Sequence, residues 1–318
     1  MRIIDAVGRE DIATVYVAQV GEGKLVEFAE SCQPLIPRDK KWVLIISVLS
    51  GCPVRCLMCD AGDSFKGALS REEIFAQIDY LVRKRFPDGD VAVEKFKIQF
   101  ARMGEPALNP AVIDVLEEMQ DRYRVPGFLP SISTVAPVGT DAFFERLVDV
   151  KRRLYSRGRF QLQFSIHTTD QALRDRIIPI RKWDFPRIAR YVDRFYQRGD
   201  QKVSLNFALA RGMPVDSHAL LKHFSPEKFL VKITPINPTH RAQENNLCSY
   251  VDADAERRDY QLVDDLRAAG YRVILNIGEV EENRIGSNCG QYVMRHLRSP
   301  VPVGENEQRG YEYWRARP

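Results

Sequence analysis

Residues 13–29, ATVYVAQVGEGKLVEFA, alternate apolar and polar on either side of Gly21-Glu22-Gly23, the pattern of a β-hairpin closed by a glycine-containing turn. Pro34 and Pro37 then interrupt the chain ahead of 42–49, WVLIISVL, an almost unbroken apolar run of the kind found in strands buried on both faces. From there strands and helices alternate. Ser70 with Glu73 three residues on reads as a capping box, and Ile74, Ile78, Leu81 and Val82 form the apolar stripe of the helix it starts. KFKIQF at 95–100 is the second strand, and Asn109 and Pro110 read as N-cap and first position of a helix running to about Tyr123. Four further strands are predicted over 129–134, 160–166, 202–209 and 229–234, with helices that include 141–154 and 186–197 between them. A helix over 254–269 and a strand over 271–277 precede a C-terminal loop and the tail SPVPVGENEQRGYEYWRARP, read as an extended arm.

Six strand–helix units in succession predict an α/β fold with a parallel sheet and outer helices, closed fully or partly into a barrel, with functional groups in the loops that follow the strands. The 318 residues, 44% of them hydrophobic, suffice for one barrel-sized domain with extensions or for two domains. The 47 basic and 43 acidic residues give a net charge of only +4, so no global field demands nucleic acid. Local basic clusters at 151–153 and 174–181 read as solvated helix faces that would also suit phosphates. Neither a signal-like N-terminus nor an apolar run long enough to span a bilayer is present, and six cysteines in so long a chain do not make a secreted disulfide framework. A cytoplasmic, reducing setting and no membrane partner are expected.

Three of the cysteines have a more specific use. In GCPVRCLMCD, at 51–60, Cys52, Cys56 and Cys59 stand in C-x3-C-x2-C spacing just after the first apolar strand. Thiolates suit zinc or an iron–sulfur cluster, and structural zinc sites close with four ligands whereas this loop supplies three. A zinc knuckle completed by a distant Cys or His and purely structural thiols are the alternatives to a cluster with one open iron. Other chemistry-bearing residues fall where later strands end: Gly104-Glu105-Pro106, Ser133-Thr134, Ser165-Ile166-His167 and Pro235-Ile236-Asn237-Pro238. Each is an ordinary turn or rim segment alone; together they are the convergent polar groups a nucleoside and an amino-acid moiety require.

GCPVRCLMC, MGEP-x-LN, ISTV, FSIHTTD-x-LRD-x-x-x-PI, the strand followed by PINP, and SNCGQ occur in an order and spacing that resemble the RlmN/Cfr family of radical S-adenosylmethionine (SAM) RNA methylases, over roughly residues 27–295. The resemblance implies a partial (βα)6 radical SAM barrel over 41–240, a small N-terminal β element over 1–40, and a C-terminal extension over 241–318. It implies a [4Fe–4S] cluster on Cys52, Cys56 and Cys59, whose open iron chelates SAM and whose electron splits SAM to a 5′-deoxyadenosyl radical. Gly104, Glu105, Ser133, Ser165, Ile166, His167 and Asn237 would contact SAM. Cys289 falls on the cysteine that the family first methylates and whose methyl group then becomes the radical that adds to an sp2 carbon. A flavodoxin or ferredoxin would supply electrons.

Two departures qualify the resemblance. The family places a second essential cysteine seven residues before the first cluster cysteine, where this chain has Ile45, and it carries a larger N-terminal accessory domain. The expected acceptor is therefore a small molecule or peptide, with adenosine in ribosomal or transfer RNA as the alternative, and a SAM- or metal-binding regulator without turnover as the non-enzymatic reading. Cys32 leads the substitutes for the missing thiol, followed by neighbouring Glu30 and by Cys248.

Overall fold

The computed structural model describes residues 1–32, 36–251, 260–277, 282, 285–287 and 292–298. The chain divides into two compact units, the first comprising Met1–Pro53, Asp60–Ile132 and Glu279–Pro318, the second Val54–Cys59 and Ser133–Gly278.

The first unit opens with a meander of β1 (Arg2–Arg9), β2 (Ala13–Val20) and β3 (Lys24–Ser31). β2 and β3 are the predicted hairpin, paired from Val20↔Lys24 to Ala13↔Ser31. β1 adds an antiparallel edge strand that the sequence pattern does not announce, because most of its residues stay partly or fully exposed and show little alternation. β4 (Trp42–Ile46) follows, with every residue buried. The apolar run does not continue as one strand to residue 49. Ser47 donates its N–H to Gln77 Oε1 at 2.9 Å and its carbonyl accepts from Gln77 Nε2 at 3.0 Å, so a helix side chain takes the place of the ladder and β5 (Leu49–Ser50) pairs instead with β6 (Gly67–Ala68). 

α1 (Arg71–Arg85) begins with the predicted reciprocal capping box between Ser70 and Glu73, and its buried stripe includes Ile74, Ile78, Leu81 and Val82. β7 (Phe96–Phe100), α2 (Ala111–Arg122) and β8 (Phe128–Thr134) follow, the division between the units falling within β8. α2 starts one residue later than predicted. Pro110 is its N-cap, and Asn109, wholly buried, instead donates to the Val48 and Leu69 carbonyls at 2.7 and 2.9 Å while accepting from Ala111 N–H. β3 and β4 are antiparallel; β4, β7 and β8 are parallel.

The second unit repeats strand, loop and helix: α3 (Asp141–Leu154), β9 (Gln161–Ser165), α4 (Gln171–Ile177), α5 (Phe185–Phe195), β10 (Val203–Leu209), α6 (Ser217–Leu221), β11 (Phe229–Pro235), α7 (His240–Glu244), α8 (Gln261–Ala268) and β12 (Val273–Leu275). β9 through β12 are parallel neighbours. The two faces of β9–β11 differ in chemistry. Phe164, Leu205, Phe207, Val231 and Ile233 are buried on one face, and an aromatic cluster in which the Phe144 ring lies 4.3 Å from Trp183, 5.0 Å from Tyr191 and 6.4 Å from Phe164 extends this apolar layer. Residues in register on the other face are Gln163, Ser165, Ser204, Asn206, Lys232 and Thr234. A last helix, α9 (Tyr292–Arg298), belongs to the first unit. The fold is mixed α/β with parallel strands, as predicted. The tail 301–318, the first part of the predicted helix over 254–269, and Cys289 lie outside the described residues.

Candidate functional site

The cysteine loop is fixed by the protein's own hydrogen bonds on both sides. In the first unit, Cys52 N–H donates to Ala61 O at 2.6 Å, and Gly51 adopts φ +75° with the Phe65 backbone 2.5 Å from where a Cβ would stand, so only glycine fits. In the second, Leu57 N–H donates to Ile177 O at 3.0 Å, Cys59 N–H to Cys56 O at 3.0 Å, Thr239 Oγ1 to Met58 O at 2.8 Å and Asn245 Nδ2 to Leu57 O at 3.2 Å. Arg55 takes φ +57°, a left-handed conformation rare outside glycine, which turns the chain between the first and second cysteines. Cys52, Cys56 and Cys59 are each partly exposed. Among the described residues no three His, Cys, Asp or Glu side chains converge as a ready metal site. The loop thus offers soft donor chemistry on a held backbone.

Strand ends supply the other predicted groups. Gly104 has φ +99°, and a Cβ there would lie 2.5 Å from Leu49 Cγ and 2.8 Å from Leu49 N. The backbone after β7 is therefore pressed onto the strand that enters the cysteine loop. Glu105 is buried and accepts from Ala107 N–H at 3.0 Å. Ile45 is in register with Ala29 and Gln99, so its side chain points to the same face as Gln99 rather than into the layer that buries Leu44 and Ile46.

In the second unit Ser133 accepts from Gln163 Nε2 at 3.2 Å, and Ser165 sits beside Asn206 in register. Ile166 and His167 both donate their N–H groups to Asn206 O, at 2.9 and 3.2 Å. The Ile166 side chain is fully buried, which leaves its backbone as the part able to meet a ligand. His167 has φ +65°, and its Nδ1 accepts from Ala208 N–H at 3.0 Å, so the neutral ring carries its proton on Nε2. Burial, aided by the nearby Arg174 charge, pushes the His167 pKa down to about 3. Asn237 is partly exposed just after β11, its carbonyl accepting from Thr239 N–H at 2.8 Å.

Two buried carboxylates on β3 were not legible as a pair of structural centres. Glu27 lies 2.9 Å from Arg102 Nε, off the N–H direction, and accepts from the Tyr292 and Val293 N–H groups at 2.8 and 3.0 Å. Arg102 in turn donates to Gly286 O at 3.0 Å and to Ser287 O. This pair anchors both flanks of the segment that carries Cys289. Burial drives the Glu27 carboxyl above its ordinary pKa, opposed by Arg102 and the two amides. Glu30 accepts from Tyr16, Arg38, Trp42 and Arg85, and although burial raises its pKa, hydrogen bonds and charge from Arg85 and Arg38 bring it below the usual carboxylate value. Cys32 is buried, and burial holds its thiol protonated above the ordinary value; Cys248 is exposed.

The basic clusters are not simply solvated faces. Lys151 is buried, ion-paired with Asp200 and donating to Phe195 O at 3.1 Å, and Arg174 is fully buried with its guanidinium over the Phe185 ring, so neither is presented to phosphates.

No protein-family model matches the chain. A dual-specificity RNA methyltransferase RlmN of Halorhodospira halophila is 27% identical over 293 residues, 87% of this chain and 72% of that protein. A probable RlmN of Synechococcus sp. (strain CC9311) is 32% identical over 192 residues, 58% of this chain and 51% of that protein. By these similarities the chain resembles the RlmN/Cfr-like radical SAM family. Members of this family are methyltransferases that use a [4Fe–4S] cluster and SAM. A crystal structure of a radical SAM methyltransferase from Sphaerobacter thermophilus shares the fold, with a TM-score of 0.66 at 20% identity over 91% of this chain and 80% of that one. The chain spans between about half and seven-tenths of the length of the two RlmN relatives. Among the described residues no helix is long and apolar enough to cross a membrane.

Sequence reading found the family motifs but missed Thr239, Asn245, Glu27, Arg102, Asn206 and Lys232. A weak signal existed for some of them: charged residues within otherwise apolar strands, as in KLVEFA and FLVKIT.

Proposed function

We propose that this chain is a radical SAM methyltransferase in which Cys52, Cys56 and Cys59 hold a [4Fe–4S] cluster, its parallel strands forming a partial (βα)6 barrel. The observation that carries the reading is the loop itself: three partly exposed thiols on a backbone already fixed by Ala61, Ile177, Thr239 and Asn245. When bound, such a cluster supplies the electron that cleaves SAM. Gly104, Glu105, Ser133, Ser165, Ile166, His167 and Asn237 are the groups proposed to hold SAM. Glu105 offers a carboxylate oxygen to an ammonium, and His167 offers Nε2–H as a neutral donor. Cys289 is the proposed methyl carrier: its thiol loses a proton, its sulfur takes the methyl of one SAM, and S-adenosylhomocysteine leaves.

The names of the relatives support RNA as the acceptor. Ile45 supports an acceptor released by another route, a small molecule or peptide, because isoleucine cannot form the disulfide that ends the family's reaction. Among the substitutes proposed for that thiol, Cys248 has open access, whereas Cys32 is buried and Glu30 is already engaged by four donors. A flavodoxin or ferredoxin is the proposed reductant.

Anaerobic reconstitution tests the whole reading. A brown protein that converts SAM to 5′-deoxyadenosine and carries a methyl group on Cys289 by mass spectrometry is expected; a colourless zinc protein, or an unmodified Cys289 during SAM turnover, would sink it. Label transferred from SAM to bulk RNA would assign the acceptor as RNA, and label confined to the protein would favour the other class.

A further inference from the structure

Lys232 stands alone in its chemical setting. It lies mid-strand on β11, half-buried, on the polar face of the second unit's sheet. Its register partner on β10 is Asn206, whose own partner on β9 is Ser165, and its partner on β12 is Ile274. Side chains in register on parallel strands share a face, about 4.8 Å apart from strand to strand. Ser165, Asn206 and Lys232 therefore form one row across the sheet, Lys232 about 10 Å from Ser165.

The row lacks an anion. Of the residues in register on this face of β9–β12, namely Gln163, Ser165, Ser204, Asn206, Ala208, Leu230, Lys232, Thr234 and Ile274, only Lys232 is charged. The neutral neighbours have other occupations, Gln163 on Ser133 and Thr234 directed to Phe207 O. The Lys232 ammonium has no hydrogen-bond or ion-pair partner among the described residues, and desolvation with no carboxylate to offset it lowers its pKa. Asn206, only 8% exposed, likewise has its Oδ1 buried without a partner. A lone ammonium and an unsatisfied amide side by side cost stability, and such groups persist where a ligand completes them.

We propose that Lys232 and Asn206 form an anion-binding subsite on the β9–β11 face, taking a carboxylate or phosphate oxygen. The ammonium pairs with the anion, and the Asn206 amide, free to turn about its last torsion, presents its NH2 to the same oxygen or its Oδ1 to a neighbouring hydroxyl. The anion would come either from the SAM carboxylate or from the methyl acceptor. The subsite goes beyond the proposed activity and does not depend on it, since anion binding is measured without turnover.

The test uses the full chain and inorganic phosphate, with chloride at matched ionic strength as control. Mass spectrometry would follow reductive methylation of Lys232 at amine-limiting pH, expected to slow at least fivefold with phosphate. Thermal unfolding would give a phosphate-specific rise in midpoint of roughly 2–4 °C in the wild type and Lys232→Arg, and none in Lys232→Met. An unprotected Lys232, or the same rise in Lys232→Met as in the wild type, overturns the proposal. Protection reads the wild type alone, so a poorly folding variant does not spoil the test. A repeat with SAM separates the sources. Protection by SAM alone, with no further effect of phosphate, assigns the subsite to the SAM carboxylate; phosphate protection that survives saturating SAM assigns it to the acceptor.

Discussion

At the scale of single residues, backbone conformation and proton placement decide what a side chain can do. Gly104 cannot carry a Cβ without displacing Leu49, and its φ of +99° already disfavours an L side chain. Gly104→Ala is expected to cost about 1–3 kcal/mol in urea unfolding and to weaken SAM binding by calorimetry, because the displaced strand is the one that enters the cysteine loop. His167 carries a pH signature. Its folded pKa of about 3 lies below the ordinary histidine value of 6.5, so the unfolded chain binds the proton first as pH falls. Its stabilisation is complete above about pH 6.5 and is lost as pH drops toward 3, at up to about 1.4 kcal/mol per pH unit. Urea midpoints between pH 7.5 and 5 should fall less steeply in His167→Asn, since asparagine tolerates φ +65° and does not titrate. A variant slope equal to that of the wild type would show that His167 is not the group responsible.

Among the elements, regular periodicity was the readable part of the sequence. The hairpin alternation, the capping box of α1 and the apolar stripes of the longer helices place those elements within a residue or two of their observed limits, because local spacing determines which face is buried. β1 escaped because an exposed edge strand needs no strict alternation, and α4, α6 and α7 escaped because helices of five to seven residues are set by one cap each, Asp170, Asp216 and Thr239. The cap of α1 is a measurable share of its stability: Ser70→Ala should cost about 1 kcal/mol by urea unfolding. No local pattern announces that Glu27 on β3 meets Arg102, which lies 75 positions later in the sequence; only the tertiary fold brings them together. Glu27→Gln would leave Arg102 buried without its counter-charge, at a cost of about 3–5 kcal/mol. Amide exchange at Tyr292 and Val293 should accelerate beyond that of the rest of α9, and unchanged protection there would remove Glu27 from its anchoring role.

Over the whole molecule, the motif order carried the resemblance and the composition carried little. A net charge of +4 is neutral on the question of partners, and the basic clusters that looked available for phosphates partly turned inward on Lys151 and Arg174. What the motifs could not convey is the chemistry of the sheet face between them. Cys56→Ala should abolish iron and sulfide incorporation while leaving the unfolding midpoint of the metal-free protein within about 2 °C, since a partly exposed thiol contributes little packing. SAM should raise the midpoint of the reconstituted wild type and not that of the Cys56→Ala chain, by the ordinary linkage of ligand binding to folding.

The close approach of backbone at Gly51 and Gly104 bears on the order of events during biosynthesis. Small zinc domains need their metal in order to fold. Here the chain on either side of the thiols is locked by glycine contacts and by bonds to Ala61, Ile177, Thr239 and Asn245, so the protein is expected to fold before the proposed cluster is loaded. Cells starved of iron should accordingly accumulate a soluble, monodisperse and colourless form that an iron–sulfur delivery system can load later, without unfolding it.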